Sequence, residues 1–426
     1  MVHESREMIS LQVKCKMEEG KISFHFEFDE GEPKQSSSTM AKMHFYAQLP
    51  GKLSLQDIHP DHLALSAFLV IRPWLKNSIR FSWGVSERFV ESLVLQKIHA
   101  GPVDSTIIPY SSEKGKYVGL AFSGGVDSTA ALSVLPDTTI PVFLNRPDVE
   151  KSLYKKEAAI QTCNKLIKLG YNCQMIECDL EFLRQPIGFP TDLSNAVPAI
   201  LLAQHLSLFS ISFGTVFESL YGLGRLVFKD YETTSHKKLW WNVFEAAGIP
   251  ISFPVGGVSE VGTELICSKS FVGNFARSCI RGDLSSPCLK CWKCFRKTTV
   301  RKSLGLEEED SAVLAGLLSS KEVKMKLSKL PISHENVLLY AFSKLNFANY
   351  PTSFQERFQF DEDLSYLERH YSPALAYIHP RIREEVESKI RVLLKKMDST
   401  DEKNVRDWNN ESRVKSISGL DYENQL

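Results

Sequence analysis

The chain has almost no net charge, few cysteines and no long apolar run. Its 51 basic and 51 acidic residues cancel, which argues against a protein that binds polyanions through its bulk charge and against a disordered acidic chain. Nine cysteines in 426 residues are too few for a secreted disulfide scaffold, and residues 1–30 are too charged for a signal peptide. We therefore expect a reducing, cytoplasmic location.

The most apolar segments, residues 63–71 and 196–213, are poor candidates for membrane spans. The first is too short to cross a bilayer, and Pro198, Gln204 and His205 interrupt the second. The second segment is better explained as a buried helix followed by a buried strand. The sequence therefore predicts neither a transmembrane helix nor a membrane partner.

Three regions follow one another along the chain, as the length predicts at about 150 residues per domain. Residues 1–112 mix strands and helices, beginning with an apolar hairpin over residues 9–28, and carry no chemical motif. We predict an α+β domain and assign it no role, with substrate binding and partner docking both open. Strands and helices alternate over residues 113–304, which predicts an α/β domain with a mainly parallel, doubly wound sheet. Residues 305–426 have a helical pattern, clearest in the apolar stripe that begins near Pro380.

The segment from Val118 to Thr129 predicts a phosphate-binding loop. An apolar strand leads to Gly124 and Gly125, whose backbones can approach a ligand closely. A helix starting near Asp127 would direct its free N–H groups and its positive dipole end at that ligand. The Asp127 carboxylate can hold a magnesium ion that bridges phosphate oxygens. Hydroxyl donors are added by Ser123, Ser128 and Thr129.

Two common phosphate motifs are missing from the chain. G-x-x-x-x-G-K-[ST], with its phosphate-binding lysine, does not occur, nor does G-x-G-x-x-G followed by an acidic residue. S-G-G-x-D-S after a strand instead resembles the PP-loop of the N-type ATP pyrophosphatases. That resemblance implies cleavage of ATP between its α- and β-phosphates, with AMP passing to a carboxylate or carbonyl oxygen. The alternative is a strand-to-helix turn that is simply rich in glycine and serine.

Four of the nine cysteines are spaced C-x8-C-x2-C-x2-C. Four thiolates at this spacing can close tetrahedrally on zinc and leave no open position, so the predicted role of the ion is structural. Unpaired thiols and an iron–sulfur cluster are the alternatives. The predicted ligands are Cys279, Cys288, Cys291 and Cys294, and the predicted core cysteines are Cys15, Cys163, Cys173, Cys178 and Cys267.

The PP-loop and the cysteine cluster, in this order over residues 116–302, resemble the QueC family of 7-cyano-7-deazaguanine synthases. The resemblance implies that ATP and magnesium activate the carboxylate of 7-carboxy-7-deazaguanine as an acyl-adenylate, which ammonia attacks. The added regions at both ends make the chain more similar to QueC-like proteins of bacterial antiviral defence operons, which join a deazaguanine to another molecule. The acceptor would then be ammonia or a macromolecular amine, such as that of a protein encoded nearby.

The predicted nucleotide site includes the loop and two neighbouring strand ends. Its catalytic members are Ser123, Asp127 and Ser128, and the full ATP-binding set is Ala121, Phe122, Ser123, Gly124, Gly125, Val126, Asp127, Ser128, Thr129, Asn145 and Gly214. Weaker candidates at the carboxyl ends of the strands are Arg146, Thr215, Glu218 and Ser219.

Two other functions stay open on the sequence. A tRNA-modifying PP-loop enzyme would bind nucleic acid and need a persulfide on Cys163, Cys173 or Cys178. An inert module would use the nucleotide only as a structural ligand. Residues 277–302 carry eight basic side chains and one acidic side chain, a net charge of +7. We expect this basic segment to face the ATP pocket or an anionic partner, with a solvated surface as the alternative.

Overall fold

The structure is a computed structural model that describes residues 11–29, 38–149, 154–224, 226–308, 311–345 and 362–411, together with Gln355, Phe358 and Phe360. Ile9, the first residue of the predicted hairpin, lies outside this range, as do residues 412–426 of the predicted helical region.

The N-terminal region contains the predicted hairpin, further strands and helices. Alternation of apolar and polar residues buries Val13, Ile22 and Phe24 on one face of the hairpin. The elements are β1 (Gln12–Glu18), β2 (Lys21–Glu27), β3 (Thr39–Met40), β4 (His44–Gln48), α1 (Pro60–Ile71), β5 (Ser78–Val85), α2 (Glu87–Val94) and β6 (His99–Val103). Ser86 caps α2 by accepting a hydrogen bond from the Phe89 N–H.

The central region has the predicted alternation of strands and helices. Its elements are β7 (Tyr117–Phe122), α3 (Val126–Val134), β8 (Ile140–Asn145), α4 (Glu157–Lys168), β9 (Gln174–Cys178), β10 (Arg184–Gln185), α5 (Val197–Leu201), β11 (Leu208–Phe213), α6 (Phe217–Leu220), α7 (Asn242–Ala246) and β12 (Ile251–Ser252). The strands pair in parallel in the order β12-β11-β7-β8-β9. The prediction of an α/β fold with a mostly parallel sheet is confirmed.

The alternating sequence pattern predicts a helix from about Val149 to Leu169, but α4 begins at Glu157. The side chain of Tyr154 stacks against the guanidinium of Arg146, 4.1 Å from the ring centre. The N–H of Lys155 donates to the carbonyl of Ile280 at 2.8 Å. These tertiary contacts hold the chain in a non-helical path, and residues 150–153 lie outside the described range.

All but two of the strands form one sheet, in the order β12-β11-β7-β8-β9-β4-β2-β1-β5-β6. β4 joins the N-terminal strands to the central region by pairing antiparallel with β9, with Ala47 opposite Cys178. Lys42 forms an ion pair with Asp179 at the same place. The predicted boundary near residue 112 therefore falls within a continuous sheet.

Helices cover both faces of the parallel part of the sheet, as a doubly wound arrangement requires. Leu120 and Phe122 of β7 pack with α3 on one face, whereas Ala121 packs on the other face with α5. Because both faces are buried, β7 is an almost continuous apolar run rather than an alternating one.

Seven further helices follow β12 in the described part of the chain. They are α8 (Glu260–Lys269), α9 (Trp292–Ser303), α10 (Ser311–Ser319), α11 (Lys321–Leu327), α12 (Glu335–Lys344), α13 (Pro380–Leu393) and α14 (Ser399–Arg406). The stripe predicted on α13 is confirmed, since Ile382, Val386 and Ile390 are buried against the β7 face. Over the part of the chain that the structure describes, every helix is too short or too polar to span a bilayer.

We predict that Gly248→Ala destabilises the fold more than Gly170→Ala. Both glycines end helices with positive φ, +77° and +91°, and an alanine there costs about 1–2 kcal/mol. A Cβ at Gly248 would also lie 2.0 Å from the carbonyl oxygen of Tyr110, whereas the space at Gly170 is empty. The extra overpacking costs about 1–3 kcal/mol. Urea denaturation of both variants measures the difference, and equal losses of free energy would contradict this account.

Candidate functional site

The candidate site lies where the direction of the strand order changes. From β7 the chain proceeds through β8 to β9 on one side, and β11 then pairs with the other side of β7. Ligands of open α/β sheets bind outside the carboxyl ends of the strands at such a point. The loop Ser123–Gly125 follows β7 here, and Gly214 follows β11.

The loop has the backbone geometry that its glycines predict. Gly124 has φ +72°, and Gly125 is the N-cap of α3. The Ser128 hydroxyl accepts from the Ser123 N–H at 3.3 Å and donates to the carbonyl of Gly125 at 3.1 Å. The first N–H groups of α3 have no partner within the helix. Such an N-terminus can bind an anion, and the first of its N–H groups, that of Val126, donates to the Ser278 hydroxyl at 3.2 Å.

The predicted ATP-binding residues differ in their access to this space. Ser123 is exposed and Asp127 is half-buried. The other loop side chains are buried, and Ser128 braces the loop from inside. The backbone of Gly214 packs closely against the start of α3. A Cβ at Gly214 would lie 2.7 Å from the N atom of Ser128, so a larger residue does not fit there.

The candidate residues at the strand ends also differ in their burial and in their hydrogen-bond or ion-pair partners. Asn145 ends β8, and its Oδ1 is a buried acceptor that has no hydrogen-bond partner among the described residues. The charge of Arg146 is already neutralised, since its guanidinium is paired with Glu181. Thr215 lies half-buried and Ser219 exposed, while Glu218 is buried.

Asp127 is held by residues from two helices that follow it much later in the chain. Its Oδ1 accepts from the Nζ of Lys297 on α9 at 2.9 Å and from the Oγ1 of Thr263 on α8 at 3.0 Å. Both contacts fall on Oδ1, so Oδ2 is outside these two bonds. The carboxylate that is predicted to bind magnesium is therefore oriented before any ligand arrives.

Buried glutamates of α8 balance the cations of α9. Lys297 lies 3.7 Å from Glu260 and 3.8 Å from Glu264, measured between nitrogen and carboxylate oxygen. Burial opposes the charge of Lys297, but Asp127 and the two glutamates outweigh it and hold the pKa of the ammonium above its usual value. Further ion pairs join Arg296 to Glu260 and Arg301 to Glu264, each at 3.1 Å.

The network continues into the C-terminal helical region through Glu218. The Glu218 carboxylate accepts from the Glu260 N–H at 3.1 Å and from Asn336 at 3.2 Å. Burial, and then the neighbouring charge of Glu260, raises the pKa of Glu218 to about 8. Burial would raise the pKa of Glu260 too, but Arg296, Lys297 and His334 hold it well below its usual value. One glutamate of the pair is thus neutral near pH 7 and the other is charged.

The four predicted zinc ligands come together. Their Sγ atoms all lie within 4.8 Å of one another. The Sγ atoms of Cys288 and Cys294 are 3.8 Å apart, and tetrahedral zinc with bonds of about 2.3 Å requires sulfurs about 3.8 Å apart. Backbone N–H groups donate to the sulfurs of Cys279 and Cys291 at 3.3 and 3.4 Å. The cluster could hold a metal such as zinc.

The cysteine cluster lies directly beside the loop. Just before Cys279, the Arg277 N–H donates to the carbonyl of Gly124 at 2.7 Å, and the Ser278 hydroxyl accepts from the Val126 N–H at 3.2 Å. Just after the cluster, α9 carries Lys297 to Asp127. The cysteines therefore fix both chain segments that touch the loop.

An open cleft of about 580 Å³ lies between Val126 at the start of α3, residues 273–287 and α9. Four cations of the basic segment line it, Arg277, Lys293, Lys297 and Arg301, together with the acidic residues Glu264, Asp283 and Glu307. Other cations of the segment are buried, including Arg296 and Lys302. The basic segment is thus not a solvated surface, and part of it faces the cleft beside the loop.

Sequence reasoning missed α8 with its Thr263, and it missed Ser278. It placed Lys297 in the basic segment that is expected to face the ATP pocket, but it did not pair Lys297 with Asp127. The available signals for α8 were Ser259, which caps the helix, and glutamates four residues apart on one helix face. For α9 the signal was a lysine pair at i and i+4, which places both side chains on one face.

A protein-family model described as a family of unknown function, DUF6395, matches residues 239–409. The match includes the cysteine cluster, α8, α9 and the C-terminal helices, and it begins after the loop Ser123–Gly125. A search of curated proteins and a search of solved structures gave no match.

We predict that the purified protein contains one zinc ion per chain. Cys291→Ser removes one of four thiolates and should abolish stoichiometric binding, whereas Cys15→Ser should not, because Cys15 lies on β1 outside the cluster. Elemental analysis and cobalt substitution measure both. Iron in place of zinc, or full zinc occupancy in the Cys291 variant, would contradict this assignment.

Glu218 predicts a pH dependence of stability. Its pKa is raised to about 8 in the folded state, so its stabilising contribution is complete below the unfolded pKa and is lost as the pH rises toward 8. Over that window the free energy of unfolding should fall by about 1.4 kcal/mol per pH unit relative to Glu218→Gln. Urea denaturation of both proteins between pH 5 and pH 8 measures the difference. A difference that does not vary with pH would contradict the prediction.

Proposed function

We propose that this protein is an ATP-dependent, AMP-forming ligase of QueC type. It would adenylate a carboxylate, such as that of 7-carboxy-7-deazaguanine or a relative, and transfer the acyl group to an amine. The observation that supports this most is the S-G-G-x-D-S loop itself. It lies at the switch point of a parallel sheet, with Asp127 already oriented and a cleft that contains four cations beside it.

The residues of the chain account for the demands of adenylation. The carboxylate attacks the α-phosphorus, and the leaving pyrophosphate must be held and neutralised. The N–H groups at the start of α3 and the exposed Ser123 hydroxyl would hold it, and the cations of the cleft would offset its charge. Asp127 would hold magnesium, which supplies further charge neutralisation when bound. The step needs alignment rather than a strong base.

The transferred acyl group would then meet the amine in the same cleft. Ammonia or a macromolecular amine would both serve, since the cleft is open to solvent. The amine would attack the acyl carbon and displace AMP, after pyrophosphate has left in the first step. Because the adenylate itself is the activated intermediate, no cysteine nucleophile is required.

The structure gives no support to the persulfide mechanism of a tRNA-modifying enzyme. The three cysteines considered for it, Cys163, Cys173 and Cys178, are buried. Burial raises the pKa of Cys178, and that of Cys163 is raised by its neighbour Cys173 and by burial. A buried thiol of raised pKa is a poor nucleophile.

The test is product analysis with 7-carboxy-7-deazaguanine, magnesium ATP and ammonium. We expect AMP and pyrophosphate in equal amounts, and a hydroxamate when hydroxylamine replaces ammonium. Mass spectrometry of the products and of co-expressed proteins identifies the acceptor. Release of ADP and phosphate, or no turnover with any amine, would contradict the proposal.

Two variants and a control connect this activity to the loop. Asp127→Asn should lower AMP formation by about a hundredfold, because it removes the carboxylate that is proposed to hold magnesium. Gly125→Ala should fold normally, since φ is −81° and the nearest contacts of its Cβ are 3.4 Å or more, yet that Cβ would fill the space over the loop. Asp137→Asn is the control, because the Asp137 side chain is 92% exposed beyond the end of α3. Equal rates in all three variants would contradict the assignment.

A further inference from the structure

We propose that Lys293, which lies between two of the metal-binding cysteines, is the lysine that binds the pyrophosphate portion of the nucleotide. This rests on the proposed function. The loop has no lysine of its own, and Lys293 would supply the missing cation from α9, about 170 residues later in the chain.

Lys293 reaches the loop at the position where a phosphate oxygen would lie. A Cβ built on Gly125 would be 3.7 Å from the Nζ of Lys293, 3.4 Å from the Ser123 Oγ and 4.0 Å from the Ser278 Oγ. One ammonium and two hydroxyls thus surround the small space that the glycine leaves empty. A tetrahedral anion bound in this space explains both the absence of a side chain at Gly125 and the polar groups around it.

The two lysines of α9 that face the loop have different environments. Lys297 is buried and bound to Asp127, Glu260 and Glu264. Lys293 is half-buried and lines the cleft, and no carboxylate of the described residues lies within 4 Å of its Nζ. Lys297 therefore orients Asp127, whereas the charge of Lys293 is available to a ligand. A point charge of this kind is a common phosphate-binding group in proteins.

The cysteine cluster determines where Lys293 lies. Cys291 is the N-cap of α9 and its Sγ accepts from the Cys294 N–H at 3.4 Å. Both flanking cysteines are ligands in the proposed zinc site, so the backbone of Lys293 is fixed from both sides. Ser278 is fixed in the same way by Cys279. The proposed zinc site is thus a positioning device for phosphate contacts.

The experiment measures binding of inorganic pyrophosphate, magnesium ATP and AMP by titration calorimetry to the full chain. Lys293→Met should weaken binding of pyrophosphate and ATP by about ten- to a hundredfold, as expected for one charge-assisted hydrogen bond, and should leave AMP binding almost unchanged. Lys293→Arg, which keeps the charge, should retain most of the affinity. Lys290→Met is the matched control, because Lys290 lies in the same cysteine-rich segment and is exposed.

Zinc content and thermal stability are measured on every variant. Weakened pyrophosphate binding with full zinc content and unchanged stability in Lys293→Met supports the proposal. Wild-type affinity in that variant, equal losses for AMP and pyrophosphate, or loss of zinc together with affinity would overturn it. If the wild-type protein binds pyrophosphate but forms no AMP, the ligase function fails while the assignment of Lys293 stands.

Discussion

The arrangement of the site depends on one ion pair, between the half-buried Asp127 of α3 and the buried Lys297 of α9. The charge of Lys297 needs this partner, since an unpaired buried charge costs several kcal/mol. Lys297 must form an ion pair with Asp127. Glu260 and Glu264 must in turn form ion pairs with the cations around them. This requirement brings α8 and α9 to the carboxyl edge of the sheet. Glu218, Asn336 and His334 extend the same requirement to the C-terminal helices.

The sequence predicts the local features well because they depend on neighbouring residues. The span of β7, the glycine turn and the convergence of the four cysteines follow from strand patterning, backbone freedom and ligand spacing. The later start of α4 could not be predicted, because contacts of Tyr154 and Lys155 with distant residues determine it. Pairing of β4 with β9 is equally non-local, since two polar strand edges give no pattern that identifies the partner.

The partners of the basic segment were hidden from the sequence for a related reason. Its net charge of +7 over residues 277–302 suggests an open cationic surface, yet the compensating glutamates lie on a helix just outside that window. A count of the charges within one stretch of sequence does not show the ion pairs that those residues form with residues outside it. Only after these pairs are formed does Lys293 stand out as a cation that faces the cleft. The matched family model, which spans residues 239–409, contains this whole compensating unit but not the loop.

The separation of Asp127 and Lys297 by 170 residues also has a consequence during synthesis. A ribosome adding 5–20 residues per second needs roughly ten to thirty seconds between the two. In that interval the first strands of the sheet can pair, but the loop has no counter-charge and no cysteine cluster beside it. The Asp127 carboxylate therefore stays without its ammonium partner until the second half of the chain has emerged.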